Sequence, residues 1–272
     1  MTRTVLLALD TSTEFCSVAL LLDDPAPKPS SAAAPAYMSG DTSVWFRHEA
    51  TGAVSSTRLL PAVRELLNEA GLALADCNAI AFGAGPGSFT GLRTATGVAQ
   101  GLAFGLNVPV VPVSTLVACA EAARLNDASL PDRVLVALDA RMDEVYWAEF
   151  EYEREPTLGD WREVHAASLD RPDALPLPSV LFALAGNAAA AFGDRLPALA
   201  AAAHVDRDAL PHALPVALLG LRALRAGRAV APELAAPEYV RNKVAQTTAE
   251  RTEARAAAAK AGAQSAGAEA LR

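Results

Sequence analysis

One strand-like run is written twice in this chain, and the repeat limits the folds open to it. Val5-Leu-Leu-Ala-Leu-Asp10 and Val134-Leu-Val-Ala-Leu-Asp139 agree at five of six positions. Each is a continuous β-prone stretch of the kind buried on both faces of a sheet, and each ends on an aspartate. A short polar turn and a second apolar run, residues 17–22 and 145–150, follow in both places. Two buried strands can converge on Val, Leu and Ala through composition alone. The shared aspartate and the shared hairpin favour an internal duplication, so each half is expected to open with strand, turn and strand.

Around these hairpins helical and strand patterns alternate. Residues 43–49 read as the next strand. Leu59, Leu60, Val63, Leu66 and Leu67 recur at helical spacing up to Gly71, with Pro61 placing the start near Leu60. Residues 78–82 and 109–113 read as strands on either side of a helix over 88–104. In the second half, 180–185 reads as a strand entering a Gly186-Asn187 turn, and 215–226 as an amphipathic helix ended by Gly227. The alternation predicts an α/β fold with parallel strands covered by helices. The expected division is a first lobe over 1–113 and a second over 114–244, whose last helix packs back on the first. Residues 23–42, with Pro25, Pro27, Pro29 and Pro35, read as a loop insert that cannot supply ladder donors. Residues 245–272 are rich in Ala, Glu, Arg and Gln with little apolar periodicity, the pattern of a frayed or disordered tail.

Composition narrows the chemistry. With 52% hydrophobic and 20% charged residues among 272, the chain has apolar surface enough for a real core. A net charge of −8, with no basic run, repels phosphate backbones, so any nucleic acid is expected to be met through another subunit. Cys16, Cys77 and Cys119 are isolated among apolar residues and odd in number, which points to a reducing compartment rather than to a disulfide framework or zinc. Absence of a signal-like start or a long uncharged apolar stretch makes the cytoplasm the expected location, with no membrane partner.

Asp10-Thr11-Ser12-Thr13 has the layout of a turn that orients a metal-bound water and faces oxyanions, with Ser12 where a glycine would let phosphate approach closely. The alternative is that Asp10 and Thr11 satisfy turn amides. Asp139-Ala140-Arg141-Met142 has drifted further, and Arg141 reads as a structural or interface cation. Between the two lies Gly83-Ala-Gly-Pro-Gly-Ser-Phe-Thr-Gly-Leu-Arg93, a glycine-rich entry into a helix whose first amides could bind an anion. It is not a Walker loop, because no Lys follows its glycines, and Ser88 stands in the third place of a dinucleotide fingerprint. The helix itself repeats Gly97, Gly101 and Gly105 beside Ala95, Ala99 and Ala103. Each internal glycine costs about 1 kcal/mol relative to alanine, so the smooth face must pack closely on the chain's own sheet, on another subunit, or on both from opposite sides. His48, His165, His204 and His212 have no ligand spacing and read as surface or packing residues; no metal ligands and no nucleophile elbow are found.

Several motifs together resemble the TsaB (YeaZ) family over residues 4 to about 245: Leu-Ala-Leu-Asp-Thr-Ser-Thr (7–13), Gly-Pro-Gly-Ser-Phe-Thr-Gly-Leu-Arg (85–93), Val113-Ser-Thr-Leu116, Ala137-Leu-Asp-Ala-Arg-Met142 with Glu144-Val-Tyr-Trp-Ala148, and Pro237-Glu-Tyr-Val-Arg-Asn242. The resemblance implies two ribonuclease-H-like lobes of the actin/Hsp70/sugar kinase (ASKHA) superfold. It implies a non-catalytic part in making threonylcarbamoyladenosine at position 37 of tRNAs that read codons starting with A. It further implies docking of a metal-dependent transferase paralogue, TsaD, onto first-lobe helices, and an ATPase, TsaE, joining the pair. No cofactor is then expected on this chain; ATP and the metal belong to the partners, and tRNA is met indirectly. Carried over, the docking residues are Leu59, Leu60, Val63, Leu66, Phe89, Leu92, Arg93, Ala95, Gly97 and Gly101, and Asp10, Thr11, Ser12 and Asp139 are left as a degenerate nucleotide site. Paralogues of the transferase type carry a His-x-x-x-His pair where residues 114–121 have no histidine, and many relatives have a His where Ser55 or Ser56 stands. The rival readings are an ATPase or phosphotransferase using Asp10 and Asp139, a peptidase-like enzyme, and a homodimer built on the glycine helix.

Overall fold

The computed structural model describes residues 3–25, 33–154 and 159–241. Its first sheet grows from the hairpin that the repeat anticipates. β1 (Thr4–Asp10) runs antiparallel to β2 (Phe15–Asp23), with Asp10 opposite Ser17. β3 (Tyr37–Ser39) and β4 (Thr42–Ala50) extend the sheet beyond β2. After α1 (Ser55–Ala70), β5 (Ala79–Gly85) lies parallel to β1 on its other side; α2 (Phe89–Leu106) and β6 (Val110–Ser114) complete the order β3-β4-β2-β1-β5-β6.

α3 (Thr115–Asn126) leads into the second sheet. There β7 (Arg133–Asp139) pairs antiparallel with β8 (Val145–Glu153), β8 with β9 (Asp160–Asp170), and β10 (Phe182–Ala185) lies parallel to β7. Short helices α4 (Ala188–Phe192) and α5 (Pro197–Ala201) precede β11 (His204–Asp206), and α6 (Ala213–Arg225) follows it. The order β11-β10-β7-β8-β9 repeats the first sheet's wiring: a first strand, its antiparallel hairpin mate and a further antiparallel strand on one side, parallel strands on the other. The duplication read from two six-residue strings is a duplication of topology.

Strand alternation sets what covers each face. Leu7, Leu9, Val18, Leu20 and Phe82 point to one side and meet Leu59, Leu66 and Ala99 of α1 and α2. Leu6, Ala8, Ala19 and Leu21 point to the other and meet Ala118 of α3 and Val216, Ala217 and Leu218 of α6. α3 also turns Leu116, Cys119 and Ala123 toward Val134, Val136 and Ala183 of the second sheet. These helices are tied together by charge: Arg222 of α6 donates to both carboxylate oxygens of buried Glu121 on α3 at 2.6 and 3.2 Å, and Trp161 of β9 donates to the same carboxylate at 2.7 Å.

Two local expectations are corrected. α1 begins at Ser55, not near Leu60, and contains Pro61. The ring sits on an exposed position, where one missing amide bond is tolerated, while the leading turn is fixed by Thr51 and Gly52, whose amides donate to the Glu14 carbonyl at 3.1 and 2.8 Å. The insert over 23–42 also supplies a strand, because its proline-free end places Tyr37 opposite Val44 and Ser39 opposite Thr42. Its residues 26–32 and the tail at 245–272 lie outside the described residues.

Candidate functional site

The Asp10 turn is closed over by the chain itself. Asp10 is buried; its Oδ1 accepts from the Ser12 amide at 3.1 Å and from Ser12 Oγ at 2.9 Å. Thr11 Oγ1 donates to the Gly91 carbonyl at 2.7 Å, and the Ser88 amide donates to the Ser12 carbonyl at 2.7 Å. The glycines of the loop let it press this closely: a Cβ on Gly83 would overlap the Asp10 carboxylate, one on Gly87 the Ser12 carbonyl, and one on Gly91 the Thr11 carbonyl. From outside, the Glu238 amide holds the loop by donating to the Ala84 carbonyl at 2.7 Å. Burial raises the Asp10 carboxyl to about 6, against the pull of the two Ser12 hydrogen bonds. Here the glycine-rich loop binds a hairpin turn of its own chain.

The corresponding turn of the second lobe is open. Asp139 accepts from the Arg141 amide at 2.8 Å and from its Nη1 at 3.1 Å, and the Asp139 amide donates to Asn187 Oδ1 at 2.9 Å. Arg141, Met142 and Asp143 take φ of 62°, 56° and 64°, a left-handed run unusual for three residues with side chains. Asp143 is gripped by Arg195 through two bonds of 2.7 Å. Asp10 and Asp139 share no partner, and among the described residues no group of three or more His, Cys, Asp and Glu is placed to hold a metal ion.

The expected docking residues separate into two layers. Leu59, Val63, Leu66, Leu92 and Ala95 are turned into the first lobe's core, so they support the surface from beneath rather than form it. Leu60, Phe89, Arg93, Gly97 and Gly101 are exposed. The alanine stripe of α2 faces the sheet, with Ala95, Ala99 and Ala103 at 0% exposure, whereas a Cβ on Gly97, Gly101 or Gly105 would meet no atom within 4 Å. Packing on the chain's own sheet therefore does not account for the glycines. Beside them stand exposed Leu60 and Phe104, and at the C-terminal end of α2 a pocket of about 260 Å³ lies between Phe104, Val108 and Pro232. Ser55 Oγ lies 2.8 Å from Thr51 Oγ1 in a hydrogen bond and starts α1; exposed Ser56 follows it.

Two clusters had no signal in the sequence. Glu121 was visible only as one polar residue on an apolar helix, and its partner Arg222 lies 101 positions away. His48 and His212 lie with ring centroids 5.2 Å apart, between Phe15 and Phe46, where burial lowers His212 to about 4. Both are packing residues where β4 meets the start of α6.

Two hairpin-led α/β lobes of one wiring, joined through α3 and α6, define the two-lobed class to which actin, Hsp70 and the sugar kinases belong. Within that class the profile described as "TsaD: tRNA N6-adenosine threonylcarbamoyltransferase" matches residues 49–249. The solved structure of YeaZ from Pseudomonas aeruginosa is 37% identical, with a TM-score of 0.73 over 87% of this chain and 99% of that one. "tRNA threonylcarbamoyladenosine biosynthesis protein TsaB" of Haemophilus influenzae is 41% identical over 64% of this chain, and its Escherichia coli namesake 42% over 62%. The chain belongs to the TsaB (YeaZ) family. The matched segments span 66% and 63% of those two relatives. No described helix is long and apolar enough to cross a membrane.

Proposed function

We propose that this chain is a non-catalytic subunit in the making of threonylcarbamoyladenosine on tRNA, where it holds and positions a metal-dependent transferase of its own superfold through the exposed face of α1 and α2. The names of its relatives supply the pathway, and the profile named for the transferase supplies the kinship between subunits. The observation that carries the docking role is the outward glycine stripe of α2. Three internal glycines cost roughly 1 kcal/mol each, and the isolated chain gives nothing back for them, whereas a partner helix at close approach would. The catalytic assignment goes to the partner because residues 114–121 contain no histidine pair and because Asp10 is covered by the chain's own loop. ATP and the metal belong, on this reading, to the TsaE-type ATPase and the TsaD-type transferase, and a net charge of −8 leaves tRNA contact to them.

Gly101→Leu tests the role. The variant should fold like the wild type, since its side chain enters open space, yet lose co-elution with the TsaD-type subunit and fail to restore threonylcarbamoyladenosine, measured by mass spectrometry of tRNA nucleosides, in a strain lacking this gene. Unchanged co-elution would remove α2 as the docking face. ATP hydrolysis by the purified chain that Asp10→Ala abolishes would replace the scaffold with an enzyme.

A further inference from the structure

We infer that one buried carboxylate, Glu121 of α3, pins the two lobes in a single orientation, so that the chain behaves as one rigid body and not as a cleft that opens and closes. The joint lies between the lobes and is independent of which face takes a partner.

Two lobes that share α3 and α6 can turn against each other only if these helices slide over the sheets or over one another. Apolar contacts alone permit small slides. Ion pairs held out of water do not, because displacement leaves a buried charge or donor without a partner. α3 stands between the lobes, with Ala118 packed toward the first sheet and Leu116, Cys119 and Ala123 toward the second. Glu121 of the same helix is 3% exposed and is bound from both sides. From α6, which covers the first sheet, Arg222 reaches both of its oxygens; from β9, in the second sheet, Trp161 Nε1 donates to Oε2 at 2.7 Å. One carboxylate thus takes its cation from the side of one lobe and its indole from the other.

Both donors are themselves held. The Trp161 ring stands edge-on to the Tyr152 ring at 5.0 Å and lies 5.4 Å from the Arg124 guanidinium, and Arg124, near the end of α3, donates to the Pro131 carbonyl at 3.0 Å. Trp161 also packs against the apolar clusters of both sheets. Further along α6, Arg225 pairs with buried Asp23 at the end of β2, which fixes the register of α6 on the first sheet at a second point. At the other end of α6 the Ala213 amide donates to Ser17 Oγ at 2.9 Å. Arg228, past the end of the helix, bonds Asp160 of β9 at 3.2 Å, beside Trp161. A rotation that carries β9 away from α6 must therefore break bonds at Glu121 inside the protein, where water does not replace them.

The test is the distance between the lobes, read by pulsed dipolar electron spin resonance on the full chain with spin labels at Asn68→Cys on α1 and Ala191→Cys on α4, both exposed positions. Cys16, Cys77 and Cys119 are buried and should stay unlabelled. With Glu121 and Arg222 in place the labels should give one narrow distribution. Glu121→Gln keeps the volume and an acceptor for Trp161 but removes the charge, and should widen the distribution about twofold or more. Glu121→Leu combined with Arg222→Met replaces the ion pair by apolar side chains and should widen it too; if Glu121→Gln does not fold, this double variant decides. Labels within the first lobe, at Asn68→Cys and Asp41→Cys, should keep their width in every variant. A broad or two-peaked distribution with the joint intact would overturn the inference, as would an unchanged width in the variants. Equal widening of the distance within the first lobe would make Glu121 a residue of the fold at large, which overturns it as well.

Discussion

The turns after β1 and β7 begin from nearly the same six residues and end in opposite environments. Asp10 sits under a loop whose Gly83, Gly87 and Gly91 leave no room for side chains, and its carboxyl is raised to about 6 by that enclosure. Asp139 has no such cover; Arg141 folds back on it from a left-handed turn whose Met142 stands 57% exposed. The strand is what the duplication preserved, because a buried central strand is fixed by the sheet on both sides of it. The turn is free to diverge, and its chemistry follows from what packs over it. In the first lobe the loop after β5 presses on the turn itself, whereas in the second the Gly186-Asn187 turn after β10 presses on the Ala137 carbonyl of β7 and reaches Asp139 only through its amide, which donates to Asn187 Oδ1.

The strongest way to break this contrast is to put a methyl group where the loop meets the first turn. Gly91→Ala places a Cβ on the Thr11 carbonyl, a backbone atom that cannot swing aside, and either α2 or the hairpin must shift. We expect a loss of about 3 kcal/mol or more in urea denaturation, among the larger single-site effects. Gly97→Ala in the same helix is the control: its Cβ meets open space and should stabilise by up to about 1 kcal/mol. Equal effects at the two positions would mean that the loop does not rest on the turn.

Acid titration sharpens the contrast next. A carboxyl whose value rises from 3.8 unfolded to about 6 folded contributes stability that is complete below the lower value and lost as pH climbs through the upper one. At about 1.4 kcal/mol per unit, the ionised Asp10 costs about 3 kcal/mol at neutral pH. Asp10→Asn keeps the Ser12 hydrogen bonds within reach and removes the charge. Between about pH 4 and pH 7 the wild type should lose roughly that amount relative to the variant, read from denaturation midpoints at each pH. Parallel curves for the two proteins would show that Asp10 is not enclosed.

How much of this was legible in the sequence depends on the range over which each feature is decided. The hairpins, the α2 and α6 helices and the Gly71 and Gly227 stops follow from local pattern, so they could be read directly, as could the family, from the 85–93 motif. The alanine and glycine stripes of α2 could be separated by spacing, but which of them faced the sheet could not, since both are small. Leu59, Leu66 and Leu92 are buried beneath the helix surface, but in sequence an apolar helical stripe looks the same whether a sheet or a partner covers it. The joint of Glu121, Arg222 and Trp161 was beyond reach, because no local rule links residues on α3, α6 and β9.

The smallest expected effect has the opposite sign to the first. In the β7–β8 turn three consecutive residues with side chains, Arg141, Met142 and Asp143, take left-handed backbone, and Arg141 bonds Asp139 while Asp143 bonds Arg195. Met142 takes φ 56° with its side chain mostly in solvent, and a left-handed residue with a Cβ costs roughly 1–2 kcal/mol. Met142→Gly removes that cost and adds the greater freedom of glycine in the unfolded chain, which offsets about half of it. We expect a net gain of up to about 1 kcal/mol in denaturation, with binding of the TsaD-type subunit unchanged because the turn lies in the other lobe from α1 and α2. A glycine thus helps in the turn that was left open, whereas the loss of one is damaging in the turn that was closed. If Met142→Gly instead destabilised the protein, the open turn would be held by contacts of its own, and the two ends of the duplicated strand would be less different than their exposure makes them.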